Sequence, residues 1–111
     1  MSDWMISLAA AQALLPDVQG RPRFAELLRH GTMLIELFSP NGRDTQGPHK
    51  QDELYIVISG HGEFVKGGER RKFGPQDVIF VEAGAVHRFE NFSEDFSTWV
   101  IFWGPQGGEA A

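Results

Sequence analysis

The stretch Pro48-His49-Lys50-Gln51-Asp52-Glu53 sets an imidazole and a carboxylate four positions apart, directly before the apolar run Leu54–Ile58. Both side chains are good donors to a divalent cation. In an extended chain they would share a face yet stand roughly 13 Å apart, whereas metal–ligand bonds are about 2 Å long. They can hold one ion only if the backbone bends between them, and the polar segment Lys50–Asp52 permits a bend. Without it the pair is a solvated, charged strand entrance. A helical turn would also bring them together, but Gly47-Pro48 before and the β-rich run after disfavour it. A second cluster begins at His87, which opens a strand after a turn containing Gly84, with Phe89 and Asn91 on the same face. In isolation, a histidine between Val86 and Phe89 reads as a hydrogen-bonded, partly buried residue as readily as a ligand. Glu36 interrupts the apolar run Met33–Phe38. Turned inward beside a metal it would be an acid–base group; turned outward it is an ordinary strand residue. Tyr55 follows Glu53 by two and points the same way, toward the same pocket. His61, in Gly60-His61-Gly62, reads as an exposed hairpin tip and His30 as a turn residue. No Ser-His-Asp order, phosphate loop or dinucleotide fingerprint is present.

The elements that must position these groups follow from the rest of the 111-residue chain. That length fits one domain, with a barrel core over about 24–104 and a flexible Gly/Ala-containing tail over 105–111. There is no cysteine, which excludes disulfide scaffolds, thiolate zinc sites, iron–sulfur clusters and cysteine nucleophiles. The net charge of −5 lacks the basic footprint expected for nucleic acid or an anionic membrane surface. The apolar stretch Met5–Leu15 fails as a signal peptide because Asp3 precedes it and the first basic residue is Arg21. The expected location is cytoplasmic. Ser7–Leu15 reads as a short helix, with Ser7 as N-cap and Pro16 as stop.

From Phe24 onward, turn signals recur every few residues: His30-Gly31, Pro40-Asn41-Gly42, Gly47-Pro48, Ser59-Gly60, Gly67-Gly68, Gly74-Pro75, Ala83-Gly84 and Ser93-Glu94-Asp95. Between them lie strand-like runs at Phe24–His30, Met33–Phe38, Leu54–Ile58, Glu63–Lys66, Val78–Val81, His87–Phe92 and Phe96–Trp103. This predicts an all-β antiparallel barrel or sandwich. Leu54–Ile58, Val78–Val81 and Trp99–Trp103 are apolar on both faces, so one face fills the interior and the other needs cover. A homodimer is expected to supply it.

Both clusters, in their spacing, resemble the two motifs of the cupin superfamily, whose members are small jelly-roll barrels. The first motif runs from a His-x-His pair through three or four residues to Glu, then six residues to Gly. Glu53 and Gly60 match, and His49 takes the place of the second histidine, with Gly47 at the first. The second motif expects Gly, five residues, Pro-x-Gly, two residues, His, three residues, Asn. Gly84, His87 and Asn91 match, while Gln76 stands for the first Gly and Glu82 for the Pro. The resemblance spans roughly Met33 to Trp103. It implies a metal site made of His49, Glu53 and His87. Gln51, which shares strand parity with the first two, is the expected fourth donor in place of the missing imidazole, with Gln46 as the alternative. Two histidines and a carboxylate suit Fe(II); Mn, Zn, Ni or Co remain open.

The function expected on this basis is metal-dependent chemistry on a small organic molecule, with dioxygenase-type oxygenation favoured. The alternatives are a non-catalytic small-molecule binding or sensing module and a metal-assisted isomerase in which Glu36 or Tyr55 moves the proton. Nine Phe and three Trp point to an aromatic interior and a small apolar or aromatic ligand.

Overall fold

The computed structural model describes residues 4–17 and 23–110; Asp3 and Arg21, which bear on the signal-peptide reading, lie outside them. The helix α1 spans Leu8–Ala13. Ser7 caps it, its hydroxyl accepting from the Ala10 N–H at 3.1 Å, and it ends at Leu14, before Pro16. Eight strands follow: β1 Phe24–His30, β2 Met33–Phe38, β3 Asp52–Ser59, β4 Gly62–Lys66, β5 Glu69–Phe73, β6 Val78–Val81, β7 His87–Glu90 and β8 Ser97–Trp103. They form a five-stranded sheet in the order β1-β2-β8-β3-β6 and a three-stranded sheet in the order β5-β4-β7. Every pairing is antiparallel. The all-β antiparallel architecture expected from turn spacing is the one observed, in the two-sheet form that the family resemblance implies.

The two sheets close over one core. The larger contributes Phe38, Tyr55, Val57, Val81, Val100 and Phe102, the smaller Phe64, Phe73 and Phe89, and Phe96 enters from the loop before β8. Rings pack edge-to-face and tilted, with Phe89 to Phe96 at 4.6 Å, Phe64 at 4.8 Å and Tyr55 at 4.9 Å. The aromatic interior expected from composition is therefore a packed cluster, and the functional groups lie beside it.

Two turns show why particular residues stand where they do. Gly60, between β3 and β4, has φ 86° and lies so close to Phe96 that an added Cβ would come within 2.5 Å of the Phe96 Cα. Only glycine fits. Gln76 holds φ 73°, the left-handed conformation for which the motif supplies glycine. Glu82, at the motif's proline position, is exposed and pairs with Lys66 Nζ at 2.8 Å.

Two expectations need correction. β5 was not anticipated: Glu69-Arg70-Arg71-Lys72 is exposed along its whole length, so no apolar alternation marks it, and its pairing comes from the tight Gly67-Gly68 hairpin with β4. The tail expected to be frayed is tied to the start of β3. Asp52 accepts the Glu109 N–H at 2.9 Å, and the Lys50 carbonyl accepts the Gly107 N–H at 2.7 Å. No helix among the described residues is long and apolar enough to cross a membrane.

Candidate metal centre

The chain bends at Lys50 and Gln51 before β3 begins at Asp52, and the bend folds His49 back over Glu53. Hydrogen bonds from the turn before His87 hold it. Gly84 N–H donates to the His49 carbonyl at 2.8 Å, and Asp52 accepts the Ala83 N–H at 2.9 Å. These last two join the first cluster to the turn that precedes His87. The N–H groups of Glu109 and then Ala83 keep the Asp52 carboxyl below its ordinary range.

Glu53, on the inner face of β3, and His87, at the start of β7, are almost completely buried, at 1% and 3% exposure. His87 Nε2 lies 2.9 Å from Glu53 Oε1, and His49 Nε2 lies 3.6 Å from the same oxygen. One donor atom from each of His49, Glu53 and His87 falls within 4.8 Å of the others. His87 Nδ1 sits 2.8 Å from the Ala85 carbonyl, which orients the ring with Nε2 toward Glu53. Burial alone would lower the His87 pKa, but the adjacent Glu53 carboxylate, the Ala85 carbonyl and the charge of Asp44 outweigh it and raise the value.

The decisive feature is what these atoms lack. Both Glu53 oxygens and His87 Nε2 are buried without a well-aligned hydrogen-bond partner among the described residues. Buried polar atoms are ordinarily satisfied, and a carboxylate buried in this way is costly unless something compensates its charge. A cation among the three residues would satisfy all these atoms at once, and imidazole with carboxylate is a donor set that suits it. The residues present therefore fit a divalent metal.

The expected fourth donor is elsewhere. Because the chain bends at Gln51, strand parity fails there, and the Gln51 amide donates to the carbonyls of Thr32 and Gly104 at 3.0 and 2.9 Å. Gln46 takes its place beside His49. Its Oε1 is 3.0 Å from His49 Nε2 and accepts from Tyr55 OH at 3.2 Å. Gln46 is held in turn by Asp44, a residue with no role in the sequence reading. The Asp44 carboxylate accepts from the backbone and side-chain amides of Gln46 and from the Phe89 N–H, at 3.0, 2.8 and 2.9 Å. The sequence signal was the short spacing of Asp44 and Gln46, an Asx-type turn.

Glu36 faces inward. It lines a cavity of about 1030 Å³ that also borders His49, Glu53 and Gln46. Burial, then the charges of Glu26 and Glu53, raise its pKa to about 7, against a smaller opposing effect of Arg29. Tyr55 is fully buried; burial and the nearby Glu53 charge push its phenol well above the ordinary range. His61 is exposed, as expected, and His30 ends β1 at the hairpin, exposed and apart from the centre.

A double sheet with two histidines and a glutamate converging at one end defines a jelly-roll protein with the donors of a metal centre. The family model described as "Cupin domain" matches residues 34–103, more than half the chain, and the chain belongs to the cupin family. It is 34% identical over 85 residues to an uncharacterized protein of Streptomyces coelicolor, covering 75% of this chain and 81% of that one. Among solved structures it is similar to a Klebsiella pneumoniae protein with a double-stranded β-helix domain. The TM-score is 0.74 and the identity 16%, over 91% of this chain and 90% of the other. It is also similar to a Ralstonia eutropha protein provisionally named a mannose-6-phosphate isomerase. There the TM-score is 0.67 and the identity 26%, over 84% and 94% of the two chains.

Proposed function

We propose that the protein holds a divalent metal through His49, Glu53 and His87, with Gln46 as a fourth donor, and carries out metal-dependent chemistry on a small organic molecule. The observation that carries this is the convergence of buried Glu53 and His87 donor atoms, 2.9 Å apart and without a well-aligned hydrogen bond, beside His49. A metal bound there supplies polarisation of a substrate oxygen or activation of dioxygen, and oxygenation is the favoured reaction because two histidines and one carboxylate suit Fe(II). The chain's own residues do the rest. Asp44 fixes the Gln46 amide, the Ala85 carbonyl orients His87, and the Tyr55 phenol, neutral at ordinary pH, serves as a hydrogen-bond donor rather than a base. Phe102 packs against the His49 ring at 5.0 Å and shields it on one side.

A second reading, metal-assisted isomerisation, is favoured by Glu36. A cavity carboxyl with a pKa of about 7 can both take and return a proton near neutral pH. The provisional name of the Ralstonia eutropha relative is in keeping with it.

A second copy of the chain is proposed to cover the outer face of the larger sheet. Leu54 pairs with both Ile101 and Phe80, and Ile56 with both Trp99 and Val78. The result is a continuous apolar surface, at whose edge Val78 and Phe80 are 62% and 48% exposed.

The test is a thermal melt of metal-free protein with and without added Fe(II), Mn, Ni or Zn. Free metal a hundredfold above its dissociation constant stabilises by about 2.7 kcal/mol, which for a domain of this size raises the melting temperature by roughly 10 °C or more. The rise is expected for wild type and His61→Ala and absent in His87→Ala. No rise in wild type with any of these metals leaves a metal-free binding module as the reading.

A further inference from the structure

The cavity beside the metal centre collects positive charge in a chain that has little of it. Arg23, Arg29, Arg43 and Lys50 line it, four of only ten Lys and Arg residues in a chain of net charge −5. They come from separate segments: the entry to β1, β1 itself, the loop after β2 and the bend before β3. Arg29 is engaged with Glu26 at 3.1 Å. Arg23 and Arg43 have no carboxylate partner and no side-chain hydrogen bond among the described residues, and the Nε of Arg23 is buried without an acceptor. A guanidinium stays charged at any ordinary pH, and a buried donor left unmade is costly.

The cavity's own carboxylates do not answer this charge. The two oxygens of Asp44 are taken by three N–H donors. Glu53 belongs to the histidine cluster. Glu36 holds its proton to about pH 7, so near neutrality its charge is only partial. The cavity lining therefore combines cationic donors, metal donors and the apolar side chains of Phe24, Phe38 and Phe102.

We infer that the substrate is a small organic acid, an apolar body bearing a carboxylate or phosphate oxyanion that Arg23 and Arg43 grip while another of its oxygens faces the His49, Glu53 and His87 cluster. The planar guanidinium fork suits both oxyanions bidentately. This adjusts the ligand expected from composition: the body is apolar, as the phenylalanines require, but one end is charged. The inference deepens the metal-dependent reading by naming its substrate class, and its charge readout stands apart from the metal.

The experiment is isothermal titration calorimetry at low salt with phenylpyruvate, phenyl phosphate and the neutral methyl ester of phenylpyruvate, on chelator-treated and on Ni(II)-loaded protein. At least one of the two anions is expected to bind about tenfold or more tightly than the ester, and which one does so identifies the oxyanion. Arg23→Gln and Arg43→Gln should each reduce that preference to threefold or less, while leaving the Ni(II)-dependent melting shift unchanged. Arg43 is exposed, so its variant folds even if the Arg23 variant does not. Equal binding of ester and anions, or a preference that persists in the Arg43 variant and in any folded Arg23 variant, overturns the inference. A Ni(II) shift without anion preference would leave the metal reading standing alone. An arginine-dependent preference without a Ni(II) shift would support the oxyanion site and remove the metal.

Discussion

Replacing Glu36 by Gln should abolish a specific pH dependence of stability. In the folded protein the Glu36 carboxyl is raised to about 7, mainly by burial and secondarily by the negative charges of Glu26 and Glu53; its ordinary value is 4.5. The neutral form is thus favoured by folding. Between about pH 4.5 and 7 the unfolded chain releases this proton while the folded chain keeps it, so stability falls as pH rises and the whole penalty is present above about 7. The difference is worth at most about 3 kcal/mol. Glu36 is only half-buried and opens on the cavity, so solvent screening reduces this to about 1–2 kcal/mol. The amide of Gln has nearly the shape of the protonated acid and no charge to lose. Urea denaturation of metal-free protein from pH 4.5 to 8 should therefore find the two proteins of similar stability at the acid end, with Glu36→Gln more stable by about 1–2 kcal/mol at pH 8. Stability curves for wild type and variant that run parallel across this range would refute the placement of Glu36 in a desolvated cavity wall.

Two further expectations rest on other parts of the molecule. Gln76→Gly should stabilise the fold by about 1 kcal/mol, since it relieves a left-handed residue with φ 73°; a loss of stability in chemical denaturation would count against the strain. Sedimentation velocity at micromolar concentration should show a dimer, and Phe80→Glu, at the exposed edge of the outer apolar face, should shift it to monomer; a wild-type monomer would remove the proposed partner.

Much of the site was legible in the sequence for physical reasons that can be named. The distance between His49 and Glu53 in an extended chain required a bend, and the polar Lys50–Asp52 segment was the place with the fewest apolar commitments; the bend is at Lys50 and Gln51. His87 was marked by the Gly84 turn that precedes it. What failed did so through the same bend and through long-range contacts. Alternation assigned Gln51 to the face of Glu53, but alternation does not survive a bend, and its amide serves Thr32 and Gly104 instead. Asp44 left only its short spacing to Gln46 as a signal, because its other partner, the Phe89 N–H, is 45 positions away. The strand β5 was invisible because its four exposed polar residues carry no pattern that a core would impose. The gathering of Arg23, Arg29 and Arg43 at one cavity could not be read either, since overall composition reports an acidic chain and not where its few cations meet.

Buried Glu53 and His87, whose facing atoms make no well-aligned hydrogen bond, are proposed together with His49 to hold a metal. The most direct test is elemental analysis of protein purified without a metal-binding tag, on wild type and on His87→Ala. Close to stoichiometric divalent metal is expected in the wild type, retained through dialysis and lost in the variant. Wild-type protein free of metal that also takes up none from a mixture of Fe(II), Mn, Ni, Co and Zn, or metal retained equally by His87→Ala, would contradict it.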